Sequence, residues 1–104
     1  MNVTKNEIKE DLKYCIVRSY RSSPFAGYVS SRNGTEVTIL EARRIWYWEG
    51  AASLSQLAMS GTSNPSACKF PEPVSSVTVL DAIEILECSE KGKKSIQGVK
   101  IWEC

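Results

Sequence analysis

The chain has 104 residues, of which 42% are hydrophobic, so the sequence predicts one globular domain with a core of its own. Its net charge of +1 excludes the strong positive field that would attract duplex nucleic acid or an anionic membrane surface. No apolar run approaches the roughly eighteen residues of a membrane span, and residues 1–13 are polar. We therefore expect a cytoplasmic protein with neither a membrane span nor a signal peptide.

The first half of the chain is predicted to be an antiparallel meander that follows a short arm. The arm, residues 1–13, is expected to be a short helix or a frayed segment, because Thr4 and Glu7 fit a capping box. β-branched and aromatic residues then indicate strands, and Asn33-Gly34 predicts a hairpin turn. The strands are predicted over residues 14–20, 25–31, 36–40 and 43–48.

The second half of the chain is predicted to hold two short helices around further strands. Ser53 and Gln56 fit a capping box at the start of one helix, which would end at Gly61. A polar Asp81 among alternating apolar residues indicates a bulge or a turn, so residues 74–88 form one long strand or two consecutive ones. The remaining predictions are a helix over residues 89–96, ended by Gly98, and a last strand over residues 99–102.

These elements define an α+β fold: an antiparallel β-sheet of about five to six strands with two short helices. Residues 14–104 form the single α+β domain, and residues 1–13 precede it. We expect the protein to be oligomeric.

Candidate binding residues concentrate between residues 42 and 58. Arg43 and Arg44 supply guanidinium groups, Trp46 and Trp48 supply large rings, and the helix start at Ser53 supplies backbone N–H donors. Such groups suit a flat base and its phosphates. The alternative is that the tryptophans belong to the core and the arginines to the solvated rim.

Arginines are unevenly distributed along the chain. All five arginines lie between residues 14 and 50, and no lysine lies there. This pattern suits bidentate phosphate contacts. Arg18 and Arg21 flank Tyr20 and precede Phe25, which makes a second aromatic and arginine cluster. A single-stranded nucleic-acid face is disfavoured, because such faces carry a longer basic groove. The run Lys91, Lys93 and Lys94 predicts a solvated helix face, or alternatively a subunit edge.

The sequence offers little for catalysis or metal binding. It contains no histidine, so the commonest proton shuttle near neutral pH is absent. The four cysteines (Cys15, Cys68, Cys88 and Cys104) are scattered, so we expect reduced thiols rather than a zinc site, and no metal or cofactor. The prediction is a binding protein that is not an enzyme. A small enzyme acting on a nucleotide is the alternative.

Two long runs and several short ones resemble a known family of phage and prophage proteins. The runs are ARRIWYW at residues 42–48 and GAASLSQLA at residues 50–58, with shorter pieces at residues 17–20, 25–27, 68–71, 82–85 and 98–102. Together they resemble the Thoeris anti-defence protein 1 family over residues 14–102.

The resemblance implies a viral sponge that sequesters a cyclic ADP-ribose signal without cleaving it and so blocks bacterial immune signalling. It also implies a homo-oligomer, dimer or hexamer, and some members hold cyclic oligonucleotides at separate sites. An alternative is a phage protein-binding inhibitor or accessory module that uses its Trp-rich strand as an interface.

The candidate ligand-binding residues are chosen for the chemistry of such a nucleotide. Arginine forks and a helix start suit the pyrophosphate, while Trp46, Trp48 or Phe70 would stack on the base. The full set is Arg18, Phe25, Arg43, Arg44, Trp46, Trp48, Ser53, Gln56, Lys69 and Phe70.

Overall fold

A computed structural model of the chain describes residues 11–103, and the predicted capping box of the arm and Cys104 lie outside that range. Within the range, five strands form one antiparallel sheet in the order β4-β3-β2-β1-β5, accompanied by two α-helices and a 3-10 turn. The predicted α+β class is confirmed. The elements are β1 Lys13–Ser19, β2 Phe25–Asn33, β3 Glu36–Arg44, α1 Leu54–Ser60, the 3-10 turn Pro65–Ala67, β4 Val74–Val79, β5 Ala82–Glu87 and α2 Glu90–Gly98.

The two edge strands of the sheet, β4 and β5, are consecutive in the chain and are joined only by Leu80 and Asp81. So short a link can join opposite edges only because the sheet curls until they meet at this end. Backbone hydrogen bonds secure the meeting point: Tyr20 N–H donates to the Asp81 carbonyl at 3.3 Å, and Ala82 N–H donates to the Thr35 carbonyl at 2.9 Å. The predicted turn near Asp81 is confirmed.

Alternation of side chains along the curled sheet separates two hydrophobic cores. The inner core fills the concave face, and the helix-side core lies between the other face and the helices. The inner core consists of Val17, Phe25, Val37, Ile39, Ala42 and Val79. The helix-side core consists of Tyr14, Ile16, Ala26, Tyr28, Ile45, Leu57, Ala58, Cys68, Phe70, Ile96 and Val99.

Both helices begin where the sequence predicts. The Gln56 N–H donates to Ser53 Oγ at 3.1 Å at the start of α1, and the Gly92 N–H donates to Ser89 Oγ at 3.0 Å at the start of α2. Gly92 also explains how the two helices approach each other. A Cβ placed there would lie 1.8 Å from the Ala58 carbonyl oxygen, so only glycine permits this crossing.

A bulge in β3 changes the direction of the side chains that follow it. Glu41 and Ala42 lie opposite the single residue Gly27, and Glu41 has a φ of 51°, in the left-handed region. A Cβ on Gly27 would lie 2.5 Å from Ile39 Cγ2, so the close approach of β2 and β3 requires a glycine. The extra residue shifts the alternation by one position, which turns Ala42 toward the inner core.

Two predicted strands are wrong. Arg43 and Arg44 end β3 instead of beginning a new strand, because the chain leaves the sheet at Ile45, whose N–H donates to the Pro24 carbonyl at 2.8 Å. Tyr47 then makes only an isolated bridge with Lys69. Residues 99–102 likewise contribute one bridge, between Ile101 and Phe70, because the segment they meet is too short to support a ladder.

Candidate functional site

A cleft opens where the two edges of the curled sheet meet, and its volume is about 750 Å³. We call it the arginine cleft. Its walls come from the β1–β2 loop, the end of β3 and the β4–β5 turn, three segments far apart in the sequence. The lining residues are Tyr20, Arg21, Ser22, Phe25, Thr35, Arg44 and residues 77–83.

Arg44 occupies the floor of the arginine cleft together with Phe25. The guanidinium carbon of Arg44 lies 4.5 Å from the centroid of the Phe25 ring, a cation–π distance, and the ring itself is buried in the inner core. Among residues 11–103 the Arg44 side chain has no hydrogen bond or ion pair. The ring therefore orients a half-buried guanidinium whose N–H donors remain available to an acceptor in the cleft.

Tyr20 and Arg21 form the opposite wall, on the loop that follows β1. A serine turn shapes this loop: the Ser22 N–H donates to Ser19 Oγ at 3.0 Å, and Ser19 Oγ donates to the Ser22 carbonyl at 3.1 Å. The Tyr20 side chain is 76% exposed, although its backbone is tied to Asp81. The loop thus presents an exposed ring and a second guanidinium to the cleft.

The chemistry of the lining favours a ligand that is both anionic and planar. Arg21 and Arg44 supply two positive charges, and Asp81 is the one acidic residue among the described lining residues. Val77 and Val79 make the floor apolar, and the Thr35 hydroxyl donates to the Leu80 carbonyl at 3.1 Å, which leaves its oxygen as an acceptor. Guanidinium forks bind phosphate or carboxylate oxygens in pairs, and an exposed tyrosine ring can stack on a base.

Comparison with known proteins identifies the domain that carries this cleft. A family model described as Domain of unknown function (DUF6948) matches residues 12–96. The chain belongs to this family. No curated protein and no solved structure matches the chain. The DUF6948 match spans all five strands and every lining residue of the arginine cleft.

The DUF6948 domain separates Arg43 from Arg44, although the sequence placed both at the candidate site. Arg43 is 4% exposed and lies on the helix side, where its Nη1 donates to the Ile96 carbonyl at 2.9 Å and its Nη2 to the Phe70 carbonyl at 3.2 Å. Burial lowers the pKa of Arg43. Phe70 is fully buried in the helix-side core, so stacking on a ligand would require that core to open.

The start of α1 uses the side chains of three candidate residues, Ser53, Gln56 and Trp48, in its own hydrogen bonds. Gln56 Oε1 accepts the Ala52 N–H at 2.7 Å, and Ser53 Oγ accepts the Gln56 N–H, so the cap uses both side chains. The Trp48 indole N–H donates to the Ala51 carbonyl at 3.1 Å, and its ring packs against the helix-side core. These three residues stabilise the loop and the helix start in the DUF6948 domain.

Arg18, Lys69 and Trp46 lie on the surface outside the lining of the arginine cleft. Arg18 forms an exposed ion pair with Glu84 at 3.6 Å. Lys69 lies between two rings, 5.7 Å from that of Tyr47 and 5.6 Å from that of Trp102.

Two of the ten candidates, Phe25 and Arg44, therefore meet in the arginine cleft. Tyr20 and Arg21, which the sequence groups around Phe25 but does not place among the candidates, join them there.

The thiols of Cys15 and Cys88 hold their protons more tightly than exposed thiols do. Burial raises the pKa of Cys15 to about 11 and that of Cys88 to about 12, and Cys15, Cys68 and Cys88 are all free. Over residues 11–103 no three His, Cys, Asp or Glu side chains are grouped so that they could hold a metal ion. In the same range no helix is both long enough and apolar enough to cross a membrane.

Proposed function

We propose that this DUF6948 protein binds a nucleotide signal of the cyclic ADP-ribose class in the arginine cleft and holds it without cleaving it. It would act in the host cytoplasm as a viral anti-defence sponge, the role that the resemblance to the Thoeris anti-defence protein 1 family implies. One observation carries the proposal: Arg44, fixed over Phe25, faces a cleft of about 750 Å³ without a hydrogen-bond or ion-pair partner for its side chain among residues 11–103.

The parts of such a nucleotide match the parts of the cleft. Its pyrophosphate would lie between the guanidinium groups of Arg44 and Arg21, and its adenine would stack on Tyr20. The Thr35 hydroxyl, which donates to the Leu80 carbonyl at 3.1 Å, would accept a hydrogen bond from a ribose hydroxyl. The cleft volume falls within the roughly 300–1,000 Å³ that is usual for small-molecule sites.

Retention rather than turnover is favoured by the chemistry of the side chains. The lining supplies cations, hydroxyls and a ring, and the full sequence contains no histidine to shuttle a proton. A sponge must also bind tightly, and a nanomolar Kd corresponds to about −12 kcal/mol. We propose that a second copy of the chain encloses the ligand, because Leu80 and Ile83 at the rim are 66% and 52% exposed.

The test is calorimetric titration of the purified protein with the cyclic ADP-ribose isomers and with a cyclic dinucleotide, followed by heating the complex and analysing the released nucleotide. We expect saturable, tight binding and recovery of the intact ligand. An altered ligand would place the protein among enzymes. If the purified protein binds none of these nucleotides, the proposal is contradicted.

Arg44→Ala and Arg32→Ala make a matched pair for locating the site. Arg44→Ala should weaken nucleotide binding by about 100-fold, the usual effect of losing a charged hydrogen-bonding group. Arg32 lies outside the arginine cleft and donates to the Gly34 carbonyl at 2.9 Å, so Arg32→Ala should bind as the wild type does. Equal affinity in the two variants would exclude the arginine cleft as the site.

An interaction module is the second candidate function, and a group of exposed rings favours it. Trp46, Tyr47 and Trp102 are 59%, 45% and 42% exposed, and the Lys69 ammonium lies 5.7 Å from the Tyr47 ring and 5.6 Å from the Trp102 ring. Exposed aromatic residues around one cation are typical of the centre of a protein interface. This candidate predicts no affinity for a nucleotide in the absence of a partner protein, and the same titration therefore distinguishes the two functions.

A further inference from the structure

A second cavity, on the opposite face of the sheet from the arginine cleft, has a volume of about 450 Å³. We call it the Arg43 cavity. It lies between β1, the end of β3, the start of β4 and the end of α2, so four elements hold its shape. Its lining residues are Tyr14, Glu41, Arg43, Pro73, Val74, Ser75 and Gln97.

The Arg43 cavity contains a buried cation whose hydrogen bonds go to main-chain carbonyls. Main-chain carbonyls of Phe70, Pro71 and Ile96 accept three of the N–H donors of Arg43, at 2.9 to 3.4 Å, which leaves one N–H on each terminal nitrogen. Among residues 11–103 no carboxylate forms an ion pair with Arg43. A buried charge without a counterion is costly, so an anion in this cavity would be stabilised.

Tyr14 adds a second polar group to the same cavity. Its side chain is 7% exposed, and its hydroxyl has no hydrogen-bond partner within residues 11–103. Because no fully buried polar side-chain atom in that range lacks a partner, the hydroxyl is not fully buried, and Tyr14 lines the cavity. Burial raises the pKa of Tyr14, so the hydroxyl keeps its proton and can donate it in a hydrogen bond.

Glu41 also lines the cavity, and a second negative charge on a ligand would add to the repulsion from its carboxylate. Pro73 and Val74 provide an apolar wall for the remainder of the molecule. The left-handed backbone of Glu41 costs energy, and such strain is found where a structure shapes a binding site.

We propose that the Arg43 cavity is a binding site for a small monocarboxylate with an apolar body. Its carboxylate accepts hydrogen bonds from the remaining Arg43 donors and from the Tyr14 hydroxyl. This site is independent of the nucleotide proposal, because it shares no lining residue with the arginine cleft.

The experiment uses benzoate as the probe and benzamide, its neutral isostere, as the matched ligand. The full-length protein is titrated with each by calorimetry and by amide NMR, in which the Gln97 side chain and the backbone of β3 report on the cavity. We expect saturable binding of benzoate, and at least tenfold weaker binding of benzamide and of inorganic phosphate. Benzamide or phosphate binding as tightly as benzoate would overturn the proposal, and so would the absence of saturable benzoate binding.

Tyr14→Phe and Tyr20→Phe separate this site from a general effect of losing a hydroxyl. Tyr14→Phe keeps the ring, which contacts the Tyr28 ring at 5.1 Å between centroids, and removes only the hydroxyl. It should weaken benzoate binding about tenfold. Tyr20 is 76% exposed and does not line the Arg43 cavity, so Tyr20→Phe should keep the wild-type affinity. Unchanged benzoate affinity in folded Tyr14→Phe would overturn the proposal. If that variant does not fold, the comparison of benzoate with benzamide on the wild-type protein still tests the site.

Discussion

Arg43 and Arg44 are adjacent in the chain but lie on opposite faces of the sheet. Arg43 enters the helix-side core and donates to the carbonyls of Phe70 and Ile96, whereas Arg44 lies over Phe25 of the inner core. The bulge at Glu41 determines which arginine faces which side, because one extra residue reverses the alternation that follows it. A strand without the bulge would direct Arg43 into the arginine cleft instead.

This separation predicts opposite effects of one substitution at the two positions. Arg43→Met removes three hydrogen bonds to carbonyls, and two of these bonds are buried. It should therefore lower the free energy of unfolding by about 3 kcal/mol. Arg44→Met loses only the cation–π contact with Phe25, worth about 1 kcal/mol or less, but should weaken nucleotide binding by about 100-fold. Urea denaturation followed by fluorescence measures the first effect, and calorimetric titration measures the second.

If Arg44→Met is as destabilised as Arg43→Met, the assignment of a structural role to Arg43 alone is wrong. Arg32→Met is the control for both variants, since Arg32 is exposed and bonds only within its own turn. Its unfolding free energy should stay within about 0.5 kcal/mol of the wild type.

Local signals predicted much of the fold. The hairpin at Asn33-Gly34, the capping residue Ser53 and the turn at Asp81 all depend on neighbours within four residues, and each is found where it was expected. The curl of the sheet has no such signal, because it depends on contacts between residues about sixty positions apart. For that reason the meeting of Tyr20 with Asp81 could not be predicted.

The predicted site residues do not form one cluster in the structure, and this too has a physical reason. Bulges with a residue in the left-handed region usually carry glycine, and the sequence has Glu41 there. The end of the strand at Ile45 has no sequence signal either, so strict alternation over residues 43–48 assigned Arg44 to the same face as Trp48. In the structure, Trp48 packs against the helix-side core and Arg44 against the inner core.

The left-handed backbone of Glu41 makes a prediction of its own. Glu41→Asn and Glu41→Val both remove the carboxylate, but asparagine tolerates a φ of 51° and a β-branched residue does not. We expect Glu41→Val to have an unfolding free energy about 1–2 kcal/mol lower than that of Glu41→Asn. Thermal unfolding of the two variants side by side measures the difference. Equal stabilities would mean that the bulge carries no backbone strain.

Alkaline pH should destabilise the protein through its thiols. The folded state holds the Cys15 and Cys88 protons more tightly than the unfolded chain does, because burial raises their pKa values from 9.0 to about 11 and about 12. Their contribution to stability is therefore fully present below about pH 9 and decreases as the pH rises toward 11 and 12. Urea denaturation at a series of pH values from about 8 to 11 should show the midpoint falling with pH.

The Cys15→Ala/Cys88→Ala double variant is the control for this pH dependence. It is expected to be less stable than the wild type near neutral pH, because it loses buried side-chain volume, but its midpoint should fall less steeply above about pH 9. Tyr14, whose pKa burial also raises, remains in the double variant and keeps part of the slope. An unchanged slope in the double variant would assign the alkaline sensitivity to Tyr14 and not to the thiols.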